Sequence, residues 1–196
     1  MHRLLALLAR ALGFAVSNAL AHAAAEVRAA TDPLTGCKNR RAGLEELAQA
    51  ARLAGHGGPT VGAMMIDLDH FKSINDRFGH QVGDDVLRAV GGTLSDALRG
   101  QDVVTRYGGE EFLAAVSSGD EQTMLAVAER VSNRIRALHV PDGSGGIVPL
   151  TASVGIAVWA ATDSTESLIG RADRALYTAK AAGRDRVVFE PAPAAA

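Results

Sequence analysis

Three acidic residues stand where carboxylates are costly to leave unpaired. Asp67 follows the apolar run Val61–Ile66, which predicts a buried strand. Glu110 and Glu111 lie between two further apolar runs, in a segment that predicts a hairpin turn. Acids from two elements are a common way to hold a hard cation such as Mg²⁺, with phosphate oxygens and water completing its shell. The pattern indicates a cation and phosphate site, whereas the glutamate pair taken alone is more typical of a solvated turn.

Two glycines directly precede this glutamate pair. Gly108 and Gly109 carry no side chain, so a phosphate or a nucleotide can approach their backbone closely. Turn geometry alone also favours glycine. The glycine pair therefore supports a ligand site without establishing one.

The segment from Arg106 to Phe112 reads RYGGEEF and resembles the signature of the GGDEF family of diguanylate cyclases, in its GGEEF form. Four further blocks resemble family motifs in the same order and at matching spacing. They are DPLTG with NR (32–36, 39–40), DLDHFK with IND (67–72, 74–76), GH with GD (79–80, 83–84), and AD, ALY, AK and GR (172–173, 175–177, 179–180, 183–184). The resemblance covers about residues 31–189 and is specific, because five blocks agree in register.

The resemblance implies a metal site made of Asp67, the backbone carbonyl of Leu68, and Glu110. Glu111 would complete that site or assist loss of the attacking proton. Mg²⁺ is the expected cation, with Mn²⁺ as an alternative. Asp69 is expected to cap the helix that follows rather than to bind the metal.

The family resemblance also assigns the guanine-reading residues, which are Asn75 and Asp84. A carboxylate accepts hydrogen bonds from guanine N1–H and the exocyclic amine, whereas adenine presents an acceptor at N1. Without the surrounding blocks, both residues would be interpreted as caps of turns or helices.

Phosphate contacts are expected at the start of one helix and at the end of another. The backbone amides around His70 and Phe71 lie at a predicted helix N-terminus, which attracts anions. Lys72, Lys180 and Arg184 would supply positive charge, and Lys72 is grouped with the catalytic residues. Lys180 and Arg184 are four residues apart and so share a helix face, an arrangement that is otherwise typical of a solvated helix end.

The implied reaction joins two GTP molecules into cyclic di-GMP, by attack of the 3′-hydroxyl of each on the α-phosphate of the other. One domain of this family holds one GTP, so catalysis is expected to need a symmetric homodimer. The alternative is a catalytically silent module that binds cyclic di-GMP or GTP and signals by contact. Silent relatives are expected to lose the acids or the glycine pair, and this chain retains both.

A second ligand site is predicted at Arg99 and Asp102, which match the family's inhibitory RxxD motif upstream of the GGEEF turn. Arg130 occupies a position that the family uses to complete this site. Arginine suits it because a guanidinium can stack on guanine and bind phosphate with two hydrogen bonds. The alternative is an ion pair on the surface at a helix end, worth under about 1 kcal/mol. We favour product inhibition by cyclic di-GMP.

Two positions depart from the family pattern. Cys37 stands where the family usually has Leu, and Asp185 stands where Asn is common after Gly-Arg. Neither change removes a residue that is assigned to metal or phosphate. Asp185 adds a negative charge beside Arg184, which predicts modestly weaker GTP binding.

The elements that carry these residues predict an α/β (α+β) fold, with a central, mostly antiparallel sheet flanked by helices, as in the nucleotidyl cyclase or palm architecture. Hydrophobic periodicity and turn residues place the elements. The helices are expected at 40–53, 71–78, from Asp84 or Asp85 onward, 121–138 and 167–182, and the strands at 61–66, 103–107, 112–116, 150–158 and 186–189.

Composition limits the classes of partner. The net charge of −2 argues against a nucleic-acid binder, which needs a basic face. Residues 1–30 predict an amphipathic helix that serves as a linker or a dimerisation stalk, residues 31–190 the catalytic domain, and residues 191–196 a disordered tail. A cytoplasmic location is expected because GTP is the substrate. Membrane tethering through an N-terminal segment and an upstream sensory region remain open alternatives.

Overall fold

A computed structural model describes residues 30–117 and 120–192. Residues 1–29 of the predicted N-terminal helix and residues 193–196 of the predicted tail lie outside the described residues.

A six-stranded sheet forms the centre of the domain, in the spatial order β1-β3-β4-β2-β5-β6. The four inner strands pair antiparallel, while β1 and β6 join the two edges in parallel. This confirms the predicted α/β class and its mostly antiparallel sheet. The strands are β1 Lys38–Asn39, β2 Val61–Leu68, β3 Val103–Arg106, β4 Glu111–Ser117, β5 Ala152–Val158 and β6 Val187–Phe189.

Helices cover both faces of this sheet, which explains why the inner strands are apolar on both sides. On one face, α1 and α5 bury Leu47 and Leu176 against Met65 of β2. On the other face, α2, α3 and α4 pack around Ile66 and Phe112. The helices are α1 Arg40–Gly55, α2 Phe71–Phe78, α3 His80–Ala97, α4 Glu121–Arg136 and α5 Thr165–Ala181.

Helix α5 lies very close to β5, and Gly155 makes this approach possible. A Cβ atom added at Gly155 would lie 2.1 Å from the backbone oxygen of Ala172 and 2.1 Å from the backbone nitrogen of Leu176. Any larger residue would push the helix away from the sheet. The close contact brings the C-terminal end of α5, which carries Lys180, over the sheet.

The start of α3 differs from the prediction. The helix begins at His80, several residues before Asp84, because Gly79 adopts φ 86° and turns the chain directly from α2 into α3. Asp84 therefore lies within the helix and does not cap it. Gly79 was the sequence signal that would have predicted this earlier start.

The predicted role of Asp69 as a helix cap is wrong. The N-cap position of α2 is His70, which has φ 57° and makes no side-chain cap hydrogen bond. The Asp69 side chain is instead buried beneath the sheet end, where it accepts three hydrogen bonds from other parts of the chain. Buried donors outcompete the local cap because an ionised carboxylate in the interior needs several partners.

Candidate active site

The β3–β4 hairpin places the two glutamates at the end of the sheet. The backbone amides of Tyr107 and Gly108 both donate to the carbonyl of Glu111 and close the turn. A Cβ atom at Gly108 would lie 2.4 Å from Oε2 of Glu111, so the Glu111 side chain folds back over this glycine. A Cβ atom at Gly109 would meet nothing within 4 Å, which leaves the space above it open. Gly108 therefore lets the Glu111 carboxylate lie against the turn, and Gly109 leaves room for a ligand.

Strand pairing brings the three predicted acids together. Asp67 of β2 lies directly opposite Glu111 of β4, so both side chains point to the same face of the sheet. The backbone amide of Leu68 lies 3.4 Å from the carbonyl oxygen of Glu110 and holds the turn against the end of β2. Strand β2 runs two residues further than its predicted end at Ile66, which makes this pairing possible.

Asp67 is buried and already forms an ion pair with a lysine side chain. Its Oδ2 atom lies 2.7 Å from Nζ of Lys180 on α5. Burial raises the pKa of Asp67 above its ordinary value, although Lys180 acts in the opposite direction and the Asp69 charge adds to the rise. An ionised Asp67 is therefore stable only beside positive charge.

The ionised form of Glu110 is also destabilised. Partial burial raises the pKa of Glu110, and the negative charge of Asp67 raises it further, followed by that of Glu111. A cation placed between these carboxylates would relieve the repulsion. The donor set, which consists of carboxylate oxygens and the carbonyl of Leu68, is of the kind that Mg²⁺ and Mn²⁺ prefer.

The side chains alone do not complete a metal centre. Among the described residues, no three His, Cys, Asp or Glu side chains converge closely enough to hold a metal ion. Asp67 and Glu110, with the Leu68 carbonyl, fit a cation that arrives with phosphate ligands of its own. The residues therefore fit a divalent cation bound together with a nucleotide.

Helix α2 begins immediately beyond this acid cluster. His70 is exposed and takes the left-handed conformation that turns the chain from β2 into the helix. Phe71 is buried in the core, so only its backbone can face a ligand. Lys72 is exposed on the first turn of the helix. This start of α2 offers backbone amides and an exposed cation next to Asp67.

The two predicted guanine readers lie where α2 and α3 meet. A Cβ atom on Gly83 would come within 1.9 Å of Oδ1 of Asn75, so the Asn75 amide rests directly on the backbone of α3. Asp84 is the next residue after Gly83 and is half-buried. The structure therefore brings Asn75 and Asp84 to one junction between α2 and α3.

The end of α5 supplies the remaining predicted cations. Lys180 reaches Asp67, and the charge of Arg184 is near enough to help lower the pKa of Asp67. Gly183, Arg184 and Asp185 all have positive φ, at 109°, 64° and 48°. A tight turn thus returns the chain to the acid cluster before β6 begins.

The predicted inhibitory residues lie at the other end of the β3–β4 hairpin. The Asp102 carboxylate accepts from the backbone amide of Arg99 at 2.8 Å and from that of Ser117 at 2.9 Å. Arg130 on α4 donates to the carbonyl of Ala97 at the end of α3, so it lies close to the Arg99 turn. A cavity of about 400 Å³ opens beside this turn, and both Arg99 and Asp102 line it.

Sequence reasoning missed several residues that shape the site. Thr151, Ser153 and the backbone of Asp185 all donate to the Asp69 carboxylate. Thr151 and Ser153 are two polar residues at alternate positions of an otherwise apolar segment, and this spacing was the available signal because it places both on one face of the strand. Arg106 of the GGEEF block pairs with Asp32 of the DPLTG block at 3.2 Å and also donates to the Gly109 carbonyl.

The six-stranded sheet and the acidic hairpin that carries the GGEEF turn are the features of a GGDEF domain. The family described as "Diguanylate cyclase, GGDEF domain" matches residues 29–186, and the chain belongs to this family.

Named relatives and solved structures agree with this assignment. The chain is 42% identical over 172 residues to the response regulator PleD of Caulobacter vibrioides, covering 84% of this chain and 37% of PleD. It is 39% identical over 160 residues to the diguanylate cyclase DgcP of Pseudomonas aeruginosa, covering 82% of this chain and 24% of DgcP. The GGDEF domain of DgcB from Caulobacter crescentus, solved in complex with cyclic di-GMP, matches with a TM-score of 0.79 and 34% identity, covering 83% of this chain and 96% of that one. The chain therefore spans well under half of these two curated relatives.

The helices of the domain are amphipathic and short. Within residues 30–117 and 120–192, none combines the length and apolar character that a membrane crossing requires.

Proposed function

We propose that this chain is a diguanylate cyclase, which condenses two GTP molecules into cyclic di-GMP and releases two pyrophosphates. The observation that carries the proposal is the acid cluster at the end of β2. Burial raises the pKa values of Asp67 and Glu110, and the charge of Asp67 raises that of Glu110 further, so a cation would stabilise the ionised cluster. The guanine junction at Asn75 and Asp84 lies one short helix away from it.

The proposed cation is Mg²⁺, with Mn²⁺ as a substitute, held by Asp67, the Leu68 carbonyl and Glu110. When bound, it would lower the pKa of the attacking hydroxyl and stabilise negative charge on the phosphates. All other contributions to catalysis in this proposal come from residues of the chain.

In the proposed reaction, the 3′-oxygen of one GTP forms a bond to the α-phosphorus of the other, and the bond from that phosphorus to the pyrophosphate oxygen breaks. We assign Glu111 to accept the hydroxyl proton, and the position of its carboxylate beside Gly108 in the hairpin turn supports this role. The second bond forms in the same way and closes the ring.

The remaining residues bind and orient the nucleotide. The amides at His70 and Phe71, together with Lys72, meet the phosphates at the start of α2. Lys180 and Arg184 neutralise the triphosphate from the other side, and Lys180 already rests on Asp67. Asn75 and Asp84 select guanine over adenine through its N1–H and amine donors.

Each domain holds one GTP in this proposal, so two copies must face each other around a two-fold axis. A homodimer is therefore part of the catalytic unit. We place the activity in the cytoplasm, where GTP is available.

Product inhibition is proposed at the Arg99 turn. The Arg99 guanidinium and the cavity of about 400 Å³ beside it suit a ligand that carries guanine and phosphate. We assign Arg130 to complete the site, and its hydrogen bond to the carbonyl of Ala97, two positions before Arg99, supports this assignment. The DgcB domain, solved in complex with cyclic di-GMP, supports the view that a domain of this fold can bind the product.

The test is incubation of the purified chain with GTP and Mg²⁺, with the products resolved by chromatography and mass spectrometry. Glu110→Gln is the active-site variant. Glu129→Gln is the matched control, because Glu129 is exposed on α4. We expect cyclic di-GMP from the unaltered chain and from Glu129→Gln, but not from Glu110→Gln. If no product forms even after bound nucleotide is removed and two copies are tethered together, the silent binding module becomes the correct interpretation.

A further inference from the structure

The turn that carries Arg184 has a backbone that needs outside support. Gly183, Arg184 and Asp185 follow one another with positive φ, and two of them are not glycine. Side chains destabilise this region of backbone, so consecutive non-glycine residues occupy it only where the surrounding structure holds them there. The support must therefore come from contacts made by the turn.

Asp69 supplies the central contact. Its Oδ2 atom accepts from the backbone amide of Asp185 at 3.0 Å and from Oγ1 of Thr151 at 2.8 Å. Its Oδ1 atom accepts from Oγ of Ser153 at 2.7 Å. The residue is only 5% exposed. Both carboxylate oxygens are therefore occupied, and Asp69 joins the end of β2 to the loop before β5 and to the turn after α5.

A second contact holds the same turn from the outside. The Asp185 carboxylate accepts from Arg136, the last residue of α4, at 2.6 Å. Both side chains of this pair are about two-fifths exposed, so the contact is weaker than the buried one. Asp185 is therefore tied by its backbone to Asp69 and by its side chain to α4.

We propose that Asp69 is a positioning residue, which fixes the Gly183–Asp185 turn and so holds Arg184 in place for the triphosphate. This inference rests on the proposed function, because it takes Arg184 as a phosphate contact. Asp69 binds neither substrate nor cation. It acts through the amide of Asp185, two positions after the glycine that opens the turn.

The alternative is that Asp69 only stabilises the end of the sheet. A purely structural role would weaken binding of every ligand together, or leave binding unchanged. A positioning role would weaken binding of the triphosphate alone. Guanosine, which has no phosphates, and a GTP analogue with a methylene bridge between the α and β phosphates separate the two cases.

The experiment measures the Kd of both ligands by calorimetry for the unaltered chain, Asp69→Asn, Arg184→Ala and the double variant. We expect Asp69→Asn to weaken binding of the analogue about tenfold, the size of one charge-assisted hydrogen bond, and to leave guanosine unchanged. Arg184→Ala should then cost little more in the Asp69→Asn background, because its contact is already lost. Additive losses, or equal losses for guanosine, would overturn the proposal.

Asp163→Asn is the matched control. Asp163 is an equally buried carboxylate, but it pairs with Arg171 and lies just before α5, whose length of about 25 Å at 1.5 Å per residue separates it from the Arg184 turn. Its substitution should not change the preference for the triphosphate over guanosine. A similar loss in this variant would show that any buried carboxylate has the same effect, and would also refute the proposal.

Two further measurements keep the test decisive. Hydrogen exchange at the Asp185 amide should be slow in the unaltered chain and at least about tenfold faster in Asp69→Asn. Arg184→Ala could leave triphosphate binding unchanged while Asp69→Asn still speeds exchange of the Asp185 amide. In that case Arg184 is not a phosphate contact, although Asp69 does hold the turn. If Asp69→Asn does not fold, an ester in place of the Asp185 backbone amide, introduced by ligation of a synthetic C-terminal peptide, removes the same donor and still permits the positive φ of this residue. This variant should reproduce both the tenfold loss and the non-additivity with Arg184→Ala.

Discussion

The two ends of the β3–β4 hairpin treat their charges in opposite ways. At the closed end, which carries the GGEEF turn, Glu110 and Asp67 repel each other and burial raises the pKa of both. At the open end, the Asp102 carboxylate is already satisfied by two backbone amides. Ser117 lies six positions after Glu111 along β4, so the two ends are about 20 Å apart.

This difference shows what each end is suited to do. The closed end keeps unfavourable charge in place, and a cation with a triphosphate would remove that cost on binding. At the open end the backbone amides and the Asp102 carboxylate already satisfy each other. A ligand there must therefore be attracted by the exposed guanidinium of Arg99. The first arrangement suits catalysis and the second suits reversible regulation.

The largest effect should come from Glu110→Gln. We expect the rate of cyclic di-GMP synthesis to fall by about 10²- to 10³-fold, the range that is typical when a group that stabilises transition-state charge is removed. The free energy of unfolding should not fall, because the substitution also removes the repulsion from Asp67. Product formation and thermal unfolding, measured on one preparation, check both statements. An inactive variant that is also clearly less stable would contradict the picture of stored repulsion.

The next effect concerns pH. Because the pKa values of Asp67 and Glu110 are raised, activity should decline at a higher pH than for ordinary carboxylates, by about tenfold per pH unit below the pKa. Stability should change in the opposite direction. The folded state binds protons at these sites before the unfolded chain does, so the contribution of these two carboxyls to the free energy of unfolding increases as pH falls through that interval.

The profile of kcat/KM against pH tests the first statement. The second is tested by subtracting the unfolding free energy of the unaltered chain from that of Glu110→Gln across the same pH range. This difference should shrink as pH falls, because only the unaltered chain gains stability from protonation of Glu110. A difference that grows as pH falls would contradict the expected direction.

A smaller effect is expected at the open end from Asp102→Ala. The substitution leaves the amides of Arg99 and Ser117 without their acceptor, which should lower the free energy of unfolding by about 1–2 kcal/mol. Cyclic di-GMP inhibition should weaken as well, because the turn that presents Arg99 loses its support. Denaturant unfolding measures the first change. A neutral result would show that water replaces the carboxylate fully.

The smallest effect on stability should come from Arg99→Ala. The side chain is exposed, so the free energy of unfolding should stay within about 0.5 kcal/mol. Synthesis by protein freed of nucleotide should be unchanged, while the concentration of cyclic di-GMP needed for half inhibition rises about tenfold or more. Unchanged inhibition would remove the assignment of this site.

Much of the fold follows from local patterns. Helices α1 and α2 and strand β2 begin at their predicted residues, because apolar runs and turn residues define those starts. The resemblance likewise named the acids that strand pairing brings together at Asp67 and Glu111. These features could be predicted because each depends on a short stretch of sequence.

What could not be predicted depends on distant partners. Strand β1 is two residues long and exists only because Lys38 and Asn39 pair with β3. The role of Asp69 is set by Thr151, which lies 82 positions further along the chain. A local rule assigned Asp69 to a helix cap, since no local signal reports a buried donor so far away.

Arg171 determines how short this domain can be made. The family match ends at residue 186, but the buried guanidinium of Arg171 donates to the carbonyl of Glu190 as well as to that of Val158 and to Asp163. Its Nε atom already lacks a partner among the described residues. A protein cut at residue 186 would lose β6 and leave a second donor of the same side chain unpaired in the core. The minimal folding unit for crystallisation or for fusion to another protein therefore extends at least to Glu190.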